Sequence, residues 1–158
     1  MEGNKKAAVF CVLKSGSQFL LLKRAKEPNI GKYVPVGGKI DPFETPRQAM
    51  IREIQEEAGI NDSKVNFCGL LTETSPINYN WISYIYTAEV PFFNPPICDE
   101  GILHWVHRDD LKTLNTPPTD WFIYQYIDQN KPFCFSAIYN EELLLLSMTD
   151  ELEETIVL

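Results

Sequence analysis

The chain has 158 residues, 44% of them hydrophobic, enough for one domain (1–158) with a real core. Its formal net charge of −8 argues against a nucleic-acid backbone as main partner, because proteins that grip such backbones present a basic face. No apolar stretch is long enough to span a membrane, and the apolar run near the start is too short for a signal peptide, so a soluble cytoplasmic protein without membrane association is expected.

In chain order, Ala7 to Leu13 and Gln18 to Lys23 are apolar, β-prone runs separated by Lys14-Ser15-Gly16-Ser17, which predicts a hairpin. Arg24, just past the second run, is a candidate contact for substrate phosphate; a solvated strand-end arginine explains it equally well. Glu27 to Gly31 reads as a loop and Lys32 to Val36 as a short strand. That strand leads into a glycine turn at Gly37-Gly38, where the backbone can approach a ligand closely and adopt positive φ.

Next comes the stretch GGKIDPFETPRQAMIREIQEEAGI, from Gly37 to Ile60. Thr45 suits a helix N-cap, Pro46 the first helical position, Gln48 completes a capping box, and Gly59 suits the left-handed residue that ends a helix. At ~100° per residue, Glu53, Glu56 and Glu57 project within one ~100° arc, while Ile51, Ile54 and Ala58 form an adjacent apolar anchor. Three carboxylates on one turn repel unless a cation lies among them. A hard divalent ion such as Mg²⁺ or Mn²⁺ takes oxygen ligands and leaves positions for water and substrate phosphates. A solvated acidic face is the plain alternative, but it leaves the glycine pair, Glu44 and Arg52 unexplained.

Lys64 to Thr72 and Trp81 to Val90 predict two strands, the second alternating between Trp81, Ser83, Ile85, Thr87 and Ile82, Tyr84, Tyr86, Ala88. Pro91, Pro95 and Pro96 mark a loop. Gly101 to Val106 reads as a strand and Arg108 to Leu111 as a short acidic turn. His104 and His107 would point to opposite faces of that strand, which argues against a shared metal. Asp120 to Asp128 predicts an amphipathic helix, Phe133 to Tyr139 and Leu143 to Met148 a closing hairpin, and Asp150 to Leu158 an exposed or frayed end. Cys11, Cys68, Cys98 and Cys134 are scattered and read as reduced, buried thiols.

Gly38, Glu44, Arg52, Glu53, Ile54, Glu56, Glu57, Gly59 and Ile60 meet every fixed position of the pattern G-x5-E-x7-R-E-U-x-E-E-x-G-U, with U bulky and apolar. The chain thereby resembles the Nudix hydrolases. The resemblance implies an α/β (α+β) fold with a mixed β-sheet between helices. It also implies divalent-metal-dependent hydrolysis of a diphosphate linkage, with Mg²⁺ or Mn²⁺ on Gly37, Glu53, Glu56 and Glu57. Arg52 is expected to pair with Glu44, supported by Gly38 and Gly59. Glu100 matches a later family acid that supplies a further metal ligand or the base, and a plain loop acid is the alternative. The catalytic candidates are Glu53, Glu56 and Glu100.

The Gly-Gly-Lys stretch and the C-terminal aromatic helix with its hairpin look like the branch that hydrolyses oxidised purine nucleoside triphosphates. Lys39, Arg24 and Asp120 are then substrate-binding candidates, with Asp120 alternatively the N-cap of its helix. Two positions depart from that branch. Pro117-Pro118-Thr119-Asp120 keeps only the second acid of its W-P-D-D segment, and Val34 stands where it has Asn. The expected partner is a small nucleotide, the expected state a monomer or homodimer. Pro76 resembles a position in ADP-ribose pyrophosphatases and keeps that substrate class open. A non-catalytic ligand-binding module is the alternative of another kind, although such modules commonly lack box carboxylates that this chain retains.

Overall fold

Strands that are apolar at successive positions need cover on both faces of their sheet. The computed structural model, which describes residues 1–158, provides it. The sheet contains β1 (Lys6–Ser15), β2 (Gln18–Arg24), β3 (Tyr33–Lys39), β4 (Asn66–Thr74), β5 (Trp81–Glu89), β6 (Gly101–His107), β7 (Phe133–Tyr139), β8 (Leu145–Asp150) and β9 (Thr155–Ile156). Helix α1 (Pro46–Ala58) packs on one face and α2 (Asp120–Asp128) on the other, with a 3-10 turn at Arg108–Thr113.

The spatial order is β6-β2-β3-β1-β5-β4-β7-β8-β9, and β1 also pairs with β2. β1 runs parallel to β5, and β4 parallel to β7; the other neighbours are antiparallel. Side-chain alternation assigns the faces. Val9, Cys11, Leu13, Leu20 and Leu22 join Met50, Ile54 and Ala58 under α1. Val12, Phe19, Leu21 and Ile85 join Ile123, Tyr124 and Ile127 under α2. The mixed sheet between helices expected from the sequence is therefore present. No helix is long and apolar enough to cross a membrane.

Four readings need correction. Gly37 and Gly38 are not a turn: they are strand residues of β3, paired with Phe10 and Val9, and neither has positive φ. The end of the chain is exposed, as one of the two expectations had it, but it is not frayed, because β9 pairs with β8 and the Leu158 N–H bonds to the Met148 carbonyl at 3.1 Å. Ile51 is only half-buried, and Ala49, Met50, Ile54 and Ala58 anchor α1 instead. Asp120 is the first residue of α2, not its N-cap; Thr119 holds that position.

Candidate active site

Helix α1 is set in phase by its ends. Thr45 Oγ1 accepts from the Gln48 N–H at 3.2 Å, and Gln48 Oε1 accepts from the Thr45 N–H at 2.9 Å. Pro46 begins the helix, and Gly59 closes it at φ 70°. That phase turns Glu53 and Glu57 toward β3 and leaves Glu56 exposed. Gly38 makes the approach possible: a Cβ there would collide with the Glu53 carboxyl group. A Cβ at Gly37 would meet the Val9 carbonyl oxygen, so that glycine serves the β1–β3 pairing. The Gly37 N–H donates to Glu57 Oε2 at 3.4 Å.

Arg52 organises the loop ahead of the helix. Its Nε and Nη2 donate to the two oxygens of Glu44 at 2.6 and 2.9 Å, the pairing expected from the sequence. Nη2 also reaches the Lys39 carbonyl at 3.1 Å, while Nη1 contacts Glu53 Oε1 at 2.8 Å and Glu56 Oε2 at 3.4 Å. The hydrogen bonds from Arg52 pull the Glu44 carboxyl down to about 2. Burial does the opposite to the helix acids. It raises Glu53 against the pull of Arg52, and it pushes Glu57 up to about 8 with the charge of Glu53 adding to the effect.

Gly37, Gly38, Glu53, Glu56 and Glu57 line a cleft of about 600 Å³. Glu100 also lines it, 3.2 Å from Lys26 Nζ and 3.8 Å from Arg24 Nη2. Arg24 lines the cleft too, but its guanidinium is turned to the carbonyls of Lys26 and Pro28, at 3.3 and 2.6 Å. Lys39 is an exposed lining residue. The sequence-derived residues thus converge on one cleft, with Arg24 engaged by its own loop.

The cleft continues over Phe10, Trp81 and Ile85 to a floor holding Glu73, Tyr79, Asp120 and Tyr124. Asp120 is 8% exposed, and its Oδ2 has no hydrogen-bond partner. Burial, and then the charge of Glu73, raise its carboxyl well above the ordinary 3.8. Glu73 lies just past the strand expected from the sequence, Lys64 to Thr72, because β4 continues to Thr74. The signal was there: Gly69, Leu71 and Glu73 occupy alternate, buried positions, so the acid stands in phase with the core.

Carboxylates with the Gly37 carbonyl are oxygen donors of the kind a hard divalent cation takes. Glu53 and Glu57 are buried together and both raised, even with Arg52 beside Glu53, so a further positive charge would favour their ionised forms. The donor chemistry therefore fits a cation. No group of three or more acid, histidine or cysteine side chains stands in ligand geometry, since Arg52 occupies the space between Glu53 and Glu56.

A profile described as the NUDIX domain matches residues 4–128. The chain belongs to the Nudix family. An uncharacterized Nudix hydrolase, YvcI of Bacillus subtilis (strain 168), is 29% identical over 143 residues, covering 87% of this chain and 89% of that protein. An 8-oxo-dGTP diphosphatase of Proteus vulgaris is 30% identical over 83 residues, covering 52% of this chain and 73% of that protein. Among solved structures, a mutator MutT protein from Bacillus halodurans superposes with TM-score 0.81 at 22% identity, covering 92% of this chain and 97% of that one. The protein is a Nudix hydrolase, and members of the family generally use divalent metals.

Proposed function

We propose that this Nudix hydrolase converts a purine nucleoside triphosphate, oxidised or not, to the monophosphate and pyrophosphate with Mg²⁺ or Mn²⁺. The observation that carries the reading is one cleft lined both by Glu53, Glu56 and Glu57 and by a buried, unpartnered Asp120. The relative that acts as an 8-oxo-dGTP diphosphatase supports the choice of substrate class.

Gly37, Glu53, Glu56, Glu57 and Glu100 would hold the cation. When bound, it neutralises phosphate charge and acidifies a coordinated water. The remaining work falls to the chain itself. Arg52 fixes Glu44 and, through the Lys39 carbonyl, the end of β3. Glu53, or alternatively Glu100, accepts the proton of the attacking water. Phe10 and Trp81 flank the path toward the floor, where Asp120 meets the base.

The ADP-ribose reading finds less support. Pro76 is exposed in the β4–β5 connection and does not line the cleft. The test is a panel of nucleoside triphosphates, oxidised purine nucleotides, ADP-ribose and dinucleoside polyphosphates, assayed with Mg²⁺ and compared by kcat/KM. A purine triphosphate is expected to lead; ADP-ribose turned over faster than every triphosphate would overturn the proposal.

A further inference from the structure

We infer that Glu73 is a specificity-determining residue of this cleft, forming with Asp120 a two-acid reader for a heteroaromatic edge that presents adjacent N–H donors, as 2-amino-6-oxopurines do. The inference rests on the reading of the cleft floor as the base end.

Glu73 is placed where β4 otherwise buries apolar groups, and it is 5% exposed. A carboxyl in such a position costs stability unless partners satisfy it. The Tyr139 hydroxyl donates to Glu73 Oε1 at 2.8 Å, and the nearby Tyr79 hydroxyl also favours its charged form. Lys5, the nearest cation, spends its hydrogen bonds on the Glu73 carbonyl at 2.7 Å and Thr74 Oγ1 at 2.8 Å, not on the carboxylate. Neither Glu73 nor Asp120 is in an ion pair. Two further groups at the floor are left open. Asp120 Oδ2 and the Tyr124 hydroxyl are both buried without partners, and both residues line the cleft. The fold gains nothing from unpaired acceptors here, whereas a ligand carrying donors would satisfy them.

The complementary chemistry follows from the inventory. A carboxylate is acceptor-only and takes two parallel N–H groups, while a tyrosine hydroxyl or a protonated carboxyl can donate to a ring carbonyl. A guanine edge offers one carbonyl, one ring N–H and one amino group in that order. Hypoxanthine lacks the amino group and would leave one buried acceptor unpaired. A lost partner at a buried acceptor corresponds to roughly tenfold or more in affinity.

The experiment is calorimetric titration of GMP and IMP into the full-length wild type, Glu73→Gln and Asp120→Asn, with melting curves as a folding control. Wild type should bind GMP at least about tenfold more tightly than IMP, and Glu73→Gln should bring the two within about twofold. Equal binding of GMP and IMP by the wild type, which needs no mutant, would overturn the inference. So would a ratio that survives Glu73→Gln. Hydrolysis is read separately. Failure to cleave any triphosphate would remove the proposed reaction while a GMP preference dependent on Glu73 still stood.

Discussion

Gly37 and Gly38 are neighbours in β3, yet the space beside each belongs to a different part of the molecule. A methyl group at Gly37 meets backbone, the Val9 carbonyl oxygen, which cannot move without opening the β1–β3 ladder. At Gly38 it meets the end of the Glu53 side chain, which can swing away. Gly37→Ala is therefore expected to lower the melting temperature clearly. Gly38→Ala should melt near wild type while losing most of its activity. The reverse pattern, read by calorimetry and steady-state kinetics, would contradict this assignment.

Asp120 carries a pH signature of its own. Its folded carboxyl is raised above 3.8 by burial and by the charge of Glu73. The folded chain then holds that proton to higher pH than the unfolded chain does. Its contribution to stability is fully present below the unfolded value and is lost as pH rises through the folded one. Asp120→Asn stays neutral throughout. It should melt above wild type at about pH 8 and converge with it at about pH 4. A constant difference across that range would contradict the raised carboxyl.

At the scale of elements, α1 illustrates what a local signal can specify. Its cap, first residue and end were legible because Thr45, Pro46, Gln48 and Gly59 act on neighbours within a turn or so. Thr45→Ala should cost about 1 kcal/mol. In a chain of this size that lowers the melting temperature by roughly 2–4 °C. An unchanged melting curve would mean the cap contributes nothing. The strands were legible only as runs, not as bounds, since a strand continues as long as a partner lies beside it. β3 extends through the glycine pair because β1 pairs along it, and β9 exists because β8 offers an edge. The box residues of the site could be read from spacing. The floor could not, because Glu73 on β4, Tyr79 in a connection and Tyr124 on α2 meet only once the sheet is assembled.

For the whole molecule, the sheet's two covered faces bring both helices to one cleft. α1 packs on one face and passes its acids to the cleft beside the glycines, while α2 closes the other face and supplies Asp120 and Tyr124 to the floor. A net charge of −8 disfavours a polyanionic substrate, and a cation among the cleft acids would offset that. Chemistry and recognition should therefore separate on mutation, with the α1 acids governing kcat and the floor governing KM. The most direct test of the central claim is chromatographic analysis of the products from a purine nucleoside triphosphate, with Mg²⁺ and with chelator, for wild type and Glu57→Gln. The account predicts monophosphate and pyrophosphate, formed only with the metal, and a rate lowered on the order of 10²-fold or more in the variant. Diphosphate and orthophosphate as products, or a Glu57→Gln rate near wild type, would contradict it.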